Sequence, residues 1–175
     1  MPQVHSFAPI ADKNAEILIL GSMPGQASLA AGEYYAHPRN AFWRIIGGLL
    51  ALDAAASYAQ RVQALKSSRI ALWDVLRSCV REGSLDAKIR SETQIANDFR
   101  SFFQTHRKIT RVFFNGATAE TCFKQLVLPT LDGITMRYGR LPSTSPANAS
   151  WSFLQKRQAW QAILEEDAVE IVRPS

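Results

Sequence analysis

Cysteine is nearly missing from this chain: Cys79 and Cys122 are its only two. With no C-x-x-C spacing and no third or fourth partner, they disfavour a disulfide framework, a zinc site and an iron–sulfur cluster. Histidine is as sparse. His5, His37 and His106 are scattered without helical ligand spacing, so neither a metal nor another cofactor is expected. No run of about eighteen apolar residues exists, and the first residues, MPQVHSFAPIADKNAE, lack a basic n-region and an apolar h-region. A soluble, unexported, cytoplasmic protein with no membrane partner is the expectation. The glycine-rich turn GSMPG (Gly21 to Gly25) is not followed by lysine, which excludes a phosphate loop ending in GK[ST], and it is not a G-x-G-x-x-G fingerprint. Met23 stands where a nucleophile elbow would need serine.

What is present suits one globular domain over residues 1–175, for 47% of the chain is hydrophobic and no repeat, low-complexity tract or linker interrupts it. A monomer is expected. Net charge is +5, and 14 of the 20 cations are arginine, the side chain that suits bidentate phosphate contacts. A nucleic-acid partner and a generic basic surface both fit that balance.

Four short apolar runs read as buried strands: Ile17 to Gly21, Ile70 to Leu76, Arg111 to Asn115 and Thr135 to Leu141. Helical stretches lie between and after them, at Ala41 to Leu52, Ala54 to Lys66, Glu92 to His106 and Ser152 to Glu166, the last with Lys156 and Arg157 on its polar side. Strands spaced by helices imply right-handed crossovers. The expected fold is α/β, a three-layer α/β/α arrangement around a central four-stranded, mostly parallel sheet.

The polar signals gather at the strand ends. GSMPG follows the first strand, where close backbone approach to a ligand is typical of open α/β sheets, though a plain tight turn reads the same way. YYAHPRNAFW (Tyr34 to Trp43) brings His37, Arg39 and Asn40 to a helix entrance, with helix capping as the simpler use of Asn40. The fourth strand runs into RLPSTSPANAS (Arg140 to Ser150), whose small hydroxyls suit a phosphate, or equally a capping loop ending in Asn148 or Ser150. Asp74 and Asn115 close the second and third strands and either face a ligand or cap a turn.

Together, GSMPG, YAHPRNAFW and PSTSPAN resemble the motifs of the uracil-DNA glycosylase superfamily, in which a GxxPG or GxDPY motif follows the first strand and an HPSP or NPSG motif follows the last. Met23 replaces the Asp or Asn of uracil-specific members, and Ser143 replaces the His or Asn that opens the second motif. The pattern is most similar to the hypoxanthine-DNA glycosylase branch, whose functional asparagine is displaced to the PRN segment, here Asn40. The resemblance implies a monofunctional DNA glycosylase acting on hypoxanthine, and on uracil as a second substrate, in base excision repair. Asn40 is then the catalytic residue. Asn115, Asp74, Gly21, Ser22, Met23, Tyr35 and Phe42 are implied to bind the base, and Ser143, Ser145, Pro146, Asn148, Arg39 and Arg140 the DNA phosphates. Without a lysine in the first motif, a Schiff-base lyase step is not expected. Two alternatives stay open: a mismatch-specific uracil or thymine glycosylase, and a non-catalytic nucleic-acid-binding domain of the same fold.

Overall fold

The computed structural model describes residues 2–166 and 170–172. Strands β1 (Gln3–His5), β2 (Ile17–Gly21), β3 (Ile70–Asp74), β4 (Leu76–Val80), β5 (Ile95–Ala96), β6 (Arg111–Asn115), β7 (Met136–Leu141) and β8 (Glu170–Val172) form two sheets. The main sheet has the order β3-β2-β6-β7-β8. Its first four strands are parallel, and β8 adds an antiparallel fifth on the edge. The sheet is thus one strand wider than the sequence predicts.

Helices α1 (Gln26–Ala31), α2 (Phe42–Leu49), α3 (Tyr58–Ser67), α4 (Phe99–Thr105), α5 (Ala117–Leu126) and α6 (Phe153–Trp160) complete the fold. Alternate residues of a strand point to opposite faces, and β2 obeys this throughout. Ile17 and Ile19 pack with Phe42, Ile45, Ile46 and Trp160 from α2 and α6. Leu18 and Leu20 pack with Phe102, Phe103 and Phe123 from α4 and α5. A parallel sheet needs both faces covered, so three layers result. Among the described residues, no helix is long and apolar enough to cross a membrane.

Three predicted elements change. The run Ile70 to Leu76 is two strands, because the Val75 amide bonds the Gly21 carbonyl at 2.8 Å and the chain leaves for a second, antiparallel sheet, β1-β4-β5. The helix expected from Glu92 begins only at Phe99, capped by the Asp98 carboxylate at the Ser101 amide. Neither Asn148 nor Ser150 caps α6; Ser152 does, in a reciprocal pair with Gln155. Lys156 is not on a polar face either. It is buried and donates to the Ser145 carbonyl at 3.3 Å, and burial lowers its pKa.

Candidate active site

Because β3, β2, β6 and β7 run the same way, their carboxyl ends share one edge. Pairing sets Asp74 opposite Gly21 and Asn115 opposite Leu141. Above that row opens a cleft of about 1210 Å³, walled by the turns after β2 and β7, the 34–40 segment and the 84–87 segment. Every residue that the motifs single out borders it except Phe42. Phe42 is fully buried with Tyr35 stacked on it, ring centroids 4.1 Å apart. The aromatic face available to a base is therefore that of Tyr35, held by a backbone in the left-handed region at φ 54°, which a bulky side chain adopts only under constraint. Met23 borders the cleft while packing into the core.

Gly21 is fixed by crowding. A Cβ there would stand 2.5 Å from Asp74 Oδ1 and 2.9 Å from the Tyr35 hydroxyl. Gly116, at φ 94°, lies under Ser143, whose Cβ would meet an added Cβ at 3.0 Å. Both glycines let side chains from neighbouring strand ends close over bare backbone.

Asn40 stands on the cleft wall, and its Oδ1 accepts the Phe42 amide N–H at 3.0 Å. The N-cap of α2 is Ala41, without a side-chain cap bond, so Asn40 closes a two-residue turn ahead of the helix and does not cap it; its oxygen keeps a second lone pair for the cleft. Asn115 is more fully engaged. Its Nδ2 donates to the Tyr35 hydroxyl at 3.1 Å and to Thr144 Oγ1 at 3.0 Å, and its Oδ1 accepts the Thr144 amide at 2.9 Å. Both amide hydrogens are thus taken, and what Asn115 has left for a base is an acceptor lone pair.

Thr144, unremarked in the sequence, is thereby a hub. It is fully buried, and its carbonyl also accepts the Ala41 amide at 3.0 Å. Ser143, Ser145 and Asn148 mostly order their own turn: Ser143 Oγ accepts the Ser145 amide, Ser145 Oγ accepts the Ala147 amide, and Asn148 Nδ2 donates to the Ser143 carbonyl. Hydroxyl protons on the two serines remain for an anion. Arg39 and Arg140 stand on the same lip, Arg140 partly offset by Glu120 at 3.8 Å.

The floor is acidic instead. Asp74 is 3% exposed, and its Oδ2 is buried without a partner. Burial first, then the nearby Asp86, pushes its carboxyl up to about 7 against the pull of Arg81. Asp86, on an exposed segment of the wall, accepts the Ser22 hydroxyl at 2.7 Å; partial shielding of its carboxyl raises its pKa, with Ser22 and Arg81 opposing. Arg81 is 1% exposed and lies behind the first turn, donating to the Pro24 and Gly83 carbonyls while its Nη1 lacks a partner. Neither Asp86 nor Arg81 is signalled by any motif, because both act across loops. Leu85 and Trp151, 50% and 44% exposed, border the mouth. Among the described residues, no group of three or more His, Cys, Asp or Glu is placed to hold a metal ion.

Cationic lip, acidic floor and a stacked aromatic wall together suit a polyanion whose uncharged base enters the cleft. Comparison with known proteins agrees. The profile of the Uracil DNA glycosylase superfamily matches residues 8–167. A hypoxanthine DNA glycosylase of Methanosarcina acetivorans is 36% identical over 91% of this chain and 96% of its own. That of Methanosarcina barkeri is 42% identical over 64% of this chain and 70% of its own. A candidate uracil DNA glycosylase from Methanosarcina acetivorans, solved by NMR in solution, superposes with a TM-score of 0.77 at 35% identity, covering 93% of this chain and 96% of that one. With a matching profile over nearly its whole length and the glycine and serine turns facing one cleft, the chain belongs to the uracil DNA glycosylase superfamily.

Proposed function

We propose that the protein is a monofunctional DNA glycosylase that hydrolyses the N-glycosidic bond of hypoxanthine in DNA. The observation that carries this reading is the convergence of Asn40, Tyr35, Asn115 and the two turns on one cleft, in a chain whose near-full-length relative is named a hypoxanthine DNA glycosylase.

A base stacked in a duplex cannot reach the Asp74 floor. The nucleotide is everted, at a cost of a few kcal/mol that is smallest at a mispair. The serine turn and Arg39 hold the flanking phosphates, and the Tyr35 ring stacks on the base. Trp151 at the mouth is of a size to occupy the vacated stack, a task Ala147 is too small for.

Bond cleavage sends the electron pair of the C1′–N bond onto the base and leaves an oxocarbenium-like sugar. Water supplies the oxygen that joins C1′, and its proton ends on the base. Asn40 orients that water and faces the sugar cation through the Oδ1 lone pair that Phe42 leaves free; an amide is too weak a base to do more. Asn115 accepts the ring N–H of the base through its remaining lone pair.

The test is incubation with end-labelled duplexes carrying inosine, uracil or xanthine, followed by alkaline cleavage of abasic sites. Cleavage at inosine is expected without any strand break before alkali. Excision only of mismatched uracil or thymine, or none despite binding, overturns the proposal in favour of a mismatch glycosylase or a binding domain.

A further inference from the structure

Of the two strand-end side chains that flank Gly21, Asn115 has no donor left for the base just described. Hypoxanthine presents an oxo oxygen beside a ring N–H, and Asn115, with both Nδ2 hydrogens engaged, meets only the N–H. On the other side of Gly21 lies Asp74, buried, bordering the cleft, its Oδ2 unpartnered. No salt bridge reaches it among the described residues. The missing Cβ of Gly21 is what admits its Oδ1. A carboxylate so placed has only the field of Arg81 and no hydrogen bond to Oδ2 to compensate its burial, whereas a carboxylic acid has an O–H to give.

We propose that Asp74 is held as a neutral acid and donates its O–H in a hydrogen bond to the oxo oxygen of the everted base. This deepens the glycosylase reading and rests on it. As the C1′–N bond breaks, negative charge gathers on that oxygen, and a fixed donor stabilises the transition state more than the bound substrate. The proton is shared, not transferred. Adenine fits poorly, since its amino group meets the Asp74 O–H donor to donor and its ring N1 lone pair meets that of Asn115. The charged and titratable groups facing Asp74 are Asp86, Arg81, Tyr34 and Tyr35. Burial and Asp86 favour the neutral form, and Arg81 opposes them.

Single-turnover excision of hypoxanthine from an inosine duplex, followed from pH 5.5 to 9, tests this. The wild-type rate should fall about tenfold per pH unit once Asp74 ionises above about 7. Asp74→Asn, which always has an N–H to donate, should flatten that fall, and Asp74→Ala should lose about 10² at pH 6 with duplex affinity unchanged. His37 also borders the cleft, so each profile is repeated with His37→Gln. Full activity of Asp74→Ala, an alkaline fall persisting in Asp74→Asn, or the whole loss appearing instead in Tyr35→Phe would overturn the proposal. A carbon-13 NMR titration of the Asp74 carboxyl, assigned by its absence in Asp74→Asn, reads the same claim without turnover: a midpoint near 7 supports it and one below 5 rejects it. A wild type with that midpoint that excises no hypoxanthine sinks the glycosylase reading instead.

Discussion

Asp74→Asn should make the protein more stable as the pH rises, because the native carboxyl costs folding free energy once the chain must hold it ionised. In the unfolded chain Asp74 has its ordinary value of 3.8, and in the fold about 7. A raised carboxyl contributes its full stability below the unfolded value and loses it as pH climbs through the folded one. The rise from one value to the other corresponds to roughly 4 kcal/mol, an upper figure because water entering the cleft eases the burial. Of this, about 1 to 2 kcal/mol is already gone at pH 5, so stability relative to the variant should fall by about a further 2 to 3 kcal/mol by pH 8. Urea unfolding of both proteins at pH 5, 6.5 and 8 measures the difference, and thermal midpoints should separate at pH 8 by on the order of 10 °C. Asp86, also raised, stays in both proteins and drops out of the comparison apart from its coupling to Asp74. A stability difference that is the same at all three pH values would refute the reasoning, for it would mean that Asp74 titrates alike folded and unfolded.

Four further outcomes are expected. Asn40→Ala should lower the single-turnover rate by about 10² with little change in duplex affinity, measured by anisotropy alongside abasic-site yield; an unchanged rate rejects its role. Gly21→Ala puts a Cβ 2.5 Å from Asp74 Oδ1, and overpacking of this kind costs about 1–3 kcal/mol; it should abolish excision while phosphate-driven binding persists, and wild-type turnover would show that the close approach is not needed. Trp151→Ala should weaken binding to an inosine duplex more than to single-stranded DNA, and wild-type affinity should fall steeply with salt; equal losses on both substrates would remove Trp151 from the vacated stack.

The parts of the fold legible in the sequence are those set by local pattern. The strands β2 and β6 lie where the apolar runs place them, and the glycine, PRN and serine segments meet at one edge because parallel strands leave them no other. The break at Val75 is hidden because the residue is as apolar as its neighbours and fully buried in both sheets' shared core. The caps Ser57 and Ser152 go unread, although each stands in an S-x-x-Q pattern whose glutamine returns a bond. Asn115 is legible only in part. Its type and position point to a base reader, yet which of its hydrogens are free depends on Thr144, 29 residues away, and on Tyr35, 80 residues away. Asp86 and Arg81 reach the site from a polar stretch that carries no periodic signal.

Arg81 also changes what the small sheet is for. Its guanidinium leaves the end of β4 and takes the Pro24 carbonyl from behind, so the first turn is braced like an arch by a strut rooted in another sheet. Substitutions along β1 or β5, none of whose residues lines the cleft, should therefore blunt turnover by letting that arch sag, so that the rate at the site is in part a property of its scaffolding.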